Sequence, residues 1–397
     1  MIVSDISPTY QWKKLTPDDG KHYFFGYYDR NPWNHDITRH LVMKIPQIER
    51  LPERGETAEI GLLDLDGNYE KLATTRAWCH QQGCMELFLP NRPGCFVYND
   101  YDEANDRIIA RIFEIGKGIT GSYARPIYAI SPDGKWAASL DFARIPRRGY
   151  SYADAVLSQD LQPADPDADG IWIMDLESGK SRLAVSYRTM MERHPYAYSL
   201  PGQRLWLNHV IFNCDSTRIL WLFRHWDEEN LQGNIPWKTF LYTSSLEGDD
   251  AACVLSECQW QDFISHQIWG SSPREILVDA DWTGSGNSAV VFDESRRPFC
   301  AREISKSHRR MSHMVYSPDG RYIAADSYPD ADSNQTLILI DAATGKWEQL
   351  GVFHHEPVPI GETRCDIHPR WSRDGRFITV DSTHDGQRGV YLLELEH

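Results

Sequence analysis

A tight-turn signature recurs along this 397-residue chain and constrains its fold more than any other feature. Three copies, Ser131-Pro-Asp-Gly134, Ser317-Pro-Asp-Gly320 and Ser372-Arg-Asp-Gly375, each precede a strand-like run such as KWAASLD, RYIAAD or RFITVD. Proline sets φ at the second turn position in two copies, and Asp and Gly tolerate the conformations that follow. Each copy therefore predicts a β-hairpin, and their recurrence indicates a repeat architecture.

Degenerate copies of the turn bring the number of units to seven. They are Asn34–Asp36, Leu89–Asn91, Asn213–Ser216 and Ser271–Pro273. Most units continue into a second signature, an alternating strand that ends in an acidic residue and a Gly turn, as in GLLDLDG or LILIDAATG. Four antiparallel strands per unit, joined by turns of these two kinds, are typical of a propeller blade. The sequence thus predicts an all-β fold, a seven-bladed β-propeller of four-stranded antiparallel blades, as a single domain over 1–397.

The two ends of the repeat series predict how the ring closes. The last unit stops after its third strand, at Leu395, whereas a spare segment, Thr9–Leu15, precedes the first turn. Unpaired edge strands are costly, so we expect this segment to pair beside Val390–Glu394. The longest gap contains a Pro-, Asp- and Arg-rich insertion, 142–170, which predicts an extended loop above one face, and a short helix near Tyr187–Arg193.

Charge and composition limit the partners. The formal net charge of -16 argues against binding nucleic acid or an anionic membrane, while an anionic substrate is still compatible with a locally positive cleft. The N-terminus lacks the pattern of a secretory signal, and no apolar run reaches membrane-spanning length. Eight Cys show no paired CxxC spacing. We expect a cytoplasmic protein with reduced thiols, as a monomer or small homo-oligomer.

Four histidines occupy matching positions in four units. His209, His313 and His368 each lie four residues before the strand-opening turn, and His266 lies five before it. The strand before that turn is the innermost one, so the four imidazoles should face the same end of the central channel. Clustered imidazoles lower one another's pKa unless a metal or anion lies among them, which favours a metal site or an acid–base site. The alternative for each is a hydrogen bond to a neighbouring backbone.

Other polar residues are expected near the same mouth. They are His80, Gln81 and Gln82 in blade two, Arg125 and Tyr128 in blade three, Arg224 in blade four, and Arg144, Arg147, Arg148, Tyr150 and Tyr152 in the insertion. For these the alternatives are structural hydrogen bonds, an inter-blade salt bridge and a solvated loop. The sequence has no Gly-rich phosphate loop and no GxSxG nucleophile motif.

The two segments HMVYSPDGRYIAADS and DIHPRWSRDGRFITVDSTHDGQRGVYLLEL resemble the last two blades of the oligogalacturonate lyase family. Members of that family are cytoplasmic seven-bladed propellers that cleave acidic disaccharides by β-elimination. The resemblance extends over residues 205–396, and the arrangement is also similar to propeller lyases acting on ulvan or rhamnose-glucuronate glycans. It implies an enzyme, a carbon–oxygen lyase, with an acidic oligosaccharide or polysaccharide as substrate.

The resemblance also implies a metal centre. In the family, Mn²⁺ is held by inner-strand His of the late blades with a Gln and a second His of the final blade, and a nearby Arg is the base. His313 and His368 match metal-ligand positions, His266 matches an active-site His, and Arg224 is the nearest candidate for the Arg. Cys365 and Arg370 stand where the Gln and the second His are expected. Because His313 and His368 match ligand positions, the resemblance implies a divalent cation, Mn, Zn or Ca, as the cofactor.

The resulting hypothesis is β-elimination on a uronic-acid-containing glycan at the channel mouth. The carboxylate is assigned to the metal or Arg370, the base to His209, His266 or Arg224, and the leaving-group proton to Tyr152. Substrate-binding roles are assigned to His80, Gln81, Arg125 and Arg144. Two other hypotheses stay open: a non-catalytic TolB-type propeller that docks a protein or glycan, and a metal-dependent glycan hydrolase or epimerase.

Overall fold

The computed structural model describes residues 10–155, 165–226, 237–255, 266–280, 282, 288–296, 300–305 and 311–395. In this part of the chain the strands form seven separate antiparallel sheets of four strands each. Each sheet is one blade, and the sheets follow one another in chain order around a central channel. The predicted all-β, seven-bladed propeller is confirmed.

The strands are short and regular. The chain starts with β1 (Trp12–Lys14). Blades one to three contain β2 (His22–Phe24), β3 (Arg39–Ile45), β4 (Ala58–Asp64), β5 (Tyr69–Thr75), β6 (Leu87–Phe88), β7 (Cys95–Asp102), β8 (Arg107–Glu114), β9 (Gly118–Tyr123), β10 (Ala129–Ile130), β11 (Trp136–Ser139), β12 (Gly170–Asp175) and β13 (Ser181–Ser186).

The later blades repeat the pattern. Blades four to seven contain β14 (Arg204–Phe212), β15 (Arg218–Trp226), β16 (Trp237–Ser245), β17 (Ala252–Leu255), β18 (Gln267–Trp269), β19 (Glu275–Ala280), β20 (Ser288–Asp293), β21 (Arg302–Ser305), β22 (Met311–Tyr316), β23 (Tyr322–Ser327), β24 (Asn334–Asp341), β25 (Trp347–His354), β26 (Arg370–Trp371), β27 (Phe377–Ser382) and β28 (Gly389–Glu394). The described helices are α1 (Tyr187–Glu192) and 3-10 turns at Phe142–Arg144, Ala197–Ser199 and Gly361–Thr363.

The ring closes by joining the two ends of the chain. Strand β1 is the outer strand of blade seven and pairs antiparallel with β28, with Trp12 opposite Leu393 and Lys14 opposite Tyr391. The Leu15 N–H continues the ladder by donating to the Val390 carbonyl at 2.9 Å. The predicted closure is confirmed, and it pairs the edge of β28 that blade seven would otherwise leave open.

The turn signature forms one hydrogen-bonded structure in each blade that carries it. In blade six, Ser317 Oγ donates to Asp319 at 2.6 Å and accepts the Tyr322 N–H at 3.0 Å, and Gly320 has φ of 72°. The Ser131 and Ser372 turns show the same two bonds. This shared geometry fixes where each inner strand ends, and therefore where residues before the turn lie.

Apolar clusters join each blade to its neighbour. Leu222 of blade four packs in one cluster with Val278 of blade five, and Ala324 of blade six packs with Val380 of blade seven. All four side chains are fully buried. Stability is thus spread over many contacts between neighbouring blades.

The long insertion between β11 and β12 lies against the end of the channel. After the 3-10 turn at Phe142–Arg144, the Gly149 carbonyl accepts the Gln81 N–H at 2.9 Å and the Gly149 N–H donates to Glu362 at 2.8 Å. A Cβ on Gly149 would lie 2.3 Å from the Glu362 carbonyl oxygen, so only glycine permits this approach. The insertion thus connects blades two and seven; its residues 156–164 lie outside the described residues.

The second part of the same gap forms α1, as predicted. Ser186 caps this helix by accepting the Thr189 N–H at 3.1 Å. Among the described residues, no helix is long and apolar enough to cross a bilayer.

Candidate active site

A cavity of about 500 Å³ lies where the inner strands of blades four to seven meet the insertion. Its lining combines imidazoles, arginines, aromatic rings and carboxylates. The lining residues are Tyr27, Gln81, Gln82, Arg148, Tyr150, His209, Arg224, Trp237, His266, His313, Tyr328, Glu362, Arg364 and Asp366. Of the four registered histidines, His209, His266 and His313 line the cavity, and His368 lies directly beside His313.

His313 and His368 form a close imidazole pair. The Nε2 atoms lie 3.3 Å apart, and both residues are buried. His313 Nδ1 lies 2.9 Å from the Asp326 carboxylate, and His368 Nδ1 lies 2.8 Å from the Gly26 carbonyl. Both partners can only accept, so each Nδ1 carries the proton and each Nε2 has its lone pair toward the other ring. The pair therefore directs two nitrogen lone pairs to one point.

Asp326 organises both halves of this pair. Besides the His313 ring, its carboxylate accepts the backbone N–H of His313 at 2.8 Å and that of His368 at 2.9 Å. Asp326 is buried on β23 of blade six, whereas His368 belongs to blade seven. One carboxylate thus fixes the relative position of two blades and orients an imidazole, as outer carboxylates do for metal-ligating histidines.

Asp366 adds a carboxylate to the imidazole pair. The ligand atoms of His313, Asp366 and His368 all lie within 4.8 Å of one another, and all three residues are buried. Arg364 forms a two-pronged ion pair with Asp366, from Nε at 2.8 Å and from Nη2 at 2.9 Å. Two imidazole nitrogens and a carboxylate oxygen are a donor set that divalent transition metals accept.

Backbone irregularities direct the histidines inward. His209 has φ of 53° and His368 has φ of 48°, in the left-handed region that non-glycine residues seldom adopt. The β14–β15 register shifts between Asn208 and Ile211, around His209, and the β22–β23 register shifts between Met311 and Met314, around His313. Such bulges turn a side chain away from the regular alternation of a strand, and they are frequent beside active sites.

His266 and Tyr328 form a hydrogen-bonded couple at the same cavity. His266 Nε2 lies 3.2 Å from the Tyr328 hydroxyl, and its Nδ1 lies 3.3 Å from Ser312 Oγ. The His266 ring packs edge-on against His313, with centroids 4.3 Å apart. Burial raises the pKa of Tyr328, so its hydroxyl keeps its proton. The couple can supply a proton at the cavity surface.

His209 is stacked on Tyr27. The ring centroids are 4.9 Å apart, and the Tyr27 ring also contacts His368 edge-on at 4.7 Å. The Tyr128 hydroxyl accepts the His209 N–H at 2.8 Å and holds its backbone. No hydrogen bond joins the His209 ring to another described residue.

Burial keeps most of these imidazoles neutral. The pKa values of His209, His266 and His368 all lie well below the usual value, first because burial disfavours the charged ring and then because of neighbouring cations and imidazoles. A neutral imidazole can accept a proton or bind a metal, whereas an imidazolium can do neither.

Cationic side chains form the rim. Arg224 is buried and donates from Nε to Thr239 at 3.1 Å, and Arg148 pairs with Glu362 at 2.6 Å. Both guanidinium groups lie over the ring of Trp237, at 5.7 and 4.7 Å from its centroid. With Arg364, three guanidinium groups line a cavity that also contains the carboxylates of Glu362 and Asp366.

Two predicted residues lie elsewhere. Tyr152 is fully buried in the apolar core, where its ring stacks on Phe142 at 4.6 Å and its hydroxyl accepts from Asn99. His80 is also buried, with Nε2 bonded to the Arg50 carbonyl at 2.8 Å, and burial lowers its pKa to about 3. The structure does not bring these side chains to the cavity, because apolar packing and a backbone acceptor hold them.

Three predicted cations also have other partners. Arg125 lies 3.4 Å above the ring of Trp172, and Arg144 forms an ion pair with Asp169. Arg370 is buried and makes a two-pronged ion pair with Asp381, at 2.7 and 3.0 Å. None of the three lines the cavity, since each charge is held by a neighbour in its own blade or insertion. Gln81, by contrast, lines the cavity, and its side chain donates to the Arg364 carbonyl at 3.0 Å.

Sequence reasoning missed several residues of the site: Tyr27, Asp326, Tyr328, Arg364 and Asp366. One signal was present for Asp326, because it and Asp381 both lie nine residues after the first residue of their turns, Ser317 and Ser372. The other residues lie outside regular repeat positions. Only the packing of distant segments reveals them.

Comparison with known proteins bears on the fold. No protein-family model and no curated protein sequence matches the chain significantly. Among solved structures, an oligogalacturonate lyase from Vibrio parahaemolyticus superposes with a TM-score of 0.65 at 13% identity, covering 100% of this chain and 96% of that one. The chain shares the fold of the oligogalacturonate lyases.

Two further structures support the same conclusion. An oligogalacturonate lyase in complex with manganese superposes with a TM-score of 0.62 at 14% identity, covering 100% of this chain and 96% of that chain. The propeller domain of the Trilobed protease from Pyrococcus furiosus gives a TM-score of 0.53 at 10% identity, covering 95% and 97%. Propellers of different function thus share this architecture, and function has to be argued from the site.

Proposed function

We propose that this protein is a lyase that cleaves uronic-acid-containing oligosaccharides by β-elimination in the cavity at the channel mouth. The observation that carries the proposal is the pair of imidazoles with facing Nε2 atoms, 3.3 Å apart, next to a buried carboxylate. Neutral imidazoles and several arginines surround the pair, and the reaction requires groups of both kinds.

The donor set fits a divalent metal. Two nitrogens that each lie about 2.1 Å from one ion are expected to be roughly 3.0–3.4 Å apart, and the observed separation of 3.3 Å agrees. The Nδ1 atoms are held by Asp326 and Gly26, which orients both lone pairs inward. His313, His368 and Asp366 would hold the ion, and nitrogen ligands favour Mn²⁺ or Zn²⁺ over Ca²⁺.

When bound, a divalent ion would neutralise the uronate carboxylate and so acidify the adjacent C5 proton. Arg224 assists from the rim, because its guanidinium lines the cavity. Both Arg224 and Arg148 lie over the ring of Trp237, which lines the same cavity. These side chains select for an acidic sugar over a neutral one.

His209 is the base in this proposal. Its ring lines the cavity, is free of hydrogen bonds to other described residues, and has a pKa held well below the usual value by burial. His266 is less suited because both of its ring nitrogens have partners. His209 removes the C5 proton, and the electron pair of the C5–H bond forms the C4–C5 double bond.

Tyr328 supplies the proton for the leaving oxygen. As the C4–O4 bond breaks, O4 takes the electron pair and the Tyr328 hydroxyl proton. The phenolate then takes a proton from water and His209 gives up the C5 proton to water, while His266, whose Nε2 lies 3.2 Å from the Tyr328 oxygen, keeps that oxygen in position. Tyr328 thereby takes the role that the sequence suggested for Tyr152, whose hydroxyl is in the core.

The test is direct. Purified protein supplied with Mn²⁺ or Zn²⁺ is incubated with short galacturonate- or glucuronate-containing oligosaccharides, and the ultraviolet absorbance of the unsaturated uronate product is followed. Methyl-esterified versions of the same oligosaccharides are the matched control, because they lack the carboxylate charge. Product from the acids alone supports the proposal; products without the double bond, or no cleavage with any acidic oligosaccharide, would refute it.

A further inference from the structure

The Asp366 carboxylate lies between Arg364 and the pair of imidazoles. Arg364 occupies both of its carboxylate oxygens, with Nε on Oδ1 at 2.8 Å and Nη2 on Oδ2 at 2.9 Å. Oδ2 is also the oxygen nearer the imidazole pair, 4.0 Å from His368 Nε2. An ion held by the two imidazoles therefore requires the oxygen to which Arg364 donates.

The charges around Asp366 also indicate that Arg364 and a metal ion would compete for it. The Asp366 side chain is 2% exposed, so its negative charge needs a cation close by. Arg364 provides that cation in this structure, and a divalent ion would provide it equally. With both present, the guanidinium and the metal would repel each other across one buried carboxylate. Binding of the ion therefore weakens the ion pair.

The Arg364 side chain can leave Asp366 and still remain within the cavity. Its side chain is 33% exposed, lines the cavity, and lies 5.0 Å above the ring of Tyr328. Its backbone stays fixed, because its carbonyl accepts from Gln81 at 3.0 Å. A guanidinium released from Asp366 thus remains in the cavity, next to the proposed proton donor, where it can make a two-pronged contact with a carboxylate.

We propose that Arg364 and a divalent metal compete for Asp366, and that metal binding releases Arg364 to bind the carboxylate of the acidic substrate. The inference rests on the proposed function for the metal and the substrate class. It gives the chain a defined order of assembly, in which metal occupancy prepares the carboxylate-binding site. It also makes Asp366 the third metal ligand, in a final blade where Arg370 is already neutralised by Asp381.

The test measures metal affinity without substrate. Titration calorimetry with Mn²⁺ or Zn²⁺ alone is expected to give binding about tenfold tighter for R364M than for wild type, because the competitor is gone, and at least about tenfold weaker for D366N. R148M is the matched control. It removes an arginine of the same cavity that pairs with Glu362 instead of Asp366, and its metal affinity should match wild type.

A second readout separates competition from a structural role. With uronate substrates at saturating metal, R364M is expected to raise KM about tenfold or more while the metal affinity rises. Unfolding midpoints of the apoproteins show whether the variants are folded. Unchanged or weaker metal binding in R364M, including no binding at all, overturns the inference. Absence of unsaturated product from wild type, with the affinity changes as expected, refutes only the lyase function.

Discussion

Blades six and seven carry the same residues at equivalent positions and use them differently. His313 and His368 are equivalent, as are Asp326 and Asp381. In blade six, Asp326 binds the His313 ring, whereas in blade seven Arg370 takes Asp381 in a buried ion pair. His368 consequently donates from Nδ1 to the Gly26 carbonyl of blade one. The repeat determines the position of a residue within its blade, whereas the residue with which it forms a bond determines its role.

One difference in sequence produces this contrast. Arg370 follows His368 by two residues, and the equivalent residue after His313 is Val315. An arginine there neutralises its own blade's aspartate; a valine leaves the aspartate to the imidazoles. The aspartate of blade seven therefore neutralises a buried arginine, whereas the aspartate of blade six orients an imidazole.

The largest expected effect comes from the two imidazoles that the blades share. H313A and H368A should each lose metal binding and reduce lyase activity by roughly a thousandfold or more, because a site of three protein ligands loses most of its affinity with one removed. Metal content of the purified proteins and the rate of unsaturated product formation measure this. H35A is the control, since the His35 side chain is 70% exposed. Full activity in H368A would exclude the metal mechanism.

The second-largest effect is expected for the buried ion pair of blade seven, Arg370 with Asp381. D381N leaves the fully buried Arg370 without its counter-charge and should lower the free energy of unfolding by about 3–5 kcal/mol, while the metal affinity of the folded protein changes little. Denaturant unfolding followed by tryptophan fluorescence is the measurement. In the double variant R370M/D381N no buried charge is left unpaired, so much of the stability should return. A stable D381N would mean that the ion pair is not structural.

The equivalent substitution in blade six is expected to weaken metal binding, whereas that in blade seven is expected to lower stability. In D326N the side chain keeps one acceptor oxygen but loses the second and the negative charge, so it cannot accept from the His313 ring and from both backbone N–H groups as the carboxylate does, and metal affinity should fall about 10- to 100-fold. Calorimetric titration with Mn²⁺ or Zn²⁺ measures it. D381N is the paired control, because its aspartate holds the equivalent position. If the two variants weakened metal binding equally, the distinction between the blades would be wrong.

The smallest effect concerns His209, which lies outside the imidazole pair. Its folded-state pKa is well below the usual value of about 6.5, so between the two values the unfolded chain binds more protons and stability rises with pH. Acidification from about pH 7 to about pH 5 should therefore destabilise the apoprotein. H209Q should weaken this dependence by up to about 1.4 kcal/mol per pH unit, as measured by unfolding at several pH values with a chelator present.

H266Q removes a second imidazole whose pKa burial also lowers, and it should weaken the pH dependence by a similar amount. A pH dependence equal in wild type, H209Q and H266Q would contradict the buried, neutral state of these rings.

Much of the fold was predictable because its determinants are local. The Ser-Pro-Asp-Gly turns specify hairpins through bonds between residues at most five positions apart, as between Ser317 and Tyr322. The register of His209, His266, His313 and His368 followed from counting back from those turns. The closing strand followed from an incomplete last blade. Each of these inferences needs only the repeat and the cost of unpaired strands.

The chemistry of the site was less predictable. Tyr152 and Arg370 have the residue types that the reaction needs, yet one packs on Phe142 and the other is paired with Asp381. Asp366 and Tyr328, which line the cavity, follow no repeat position. A spacing shows the height of a residue along the channel, but the partner that takes its charge is chosen by packing.

By itself, the sequence determined the blades, their number, their closure and the end of the channel at which the histidines gather, since these depend on turns and alternation within each repeat. The tertiary structure alone decided which imidazoles pair and which arginines face the cavity. Those outcomes depend on contacts between segments far apart in the chain: His368 with Gly26, Gln81 with Arg364, and Gly149 with Glu362. Such contacts form only when the ring has closed and the insertion has docked, and the local spacing of residues does not specify which side chains then meet.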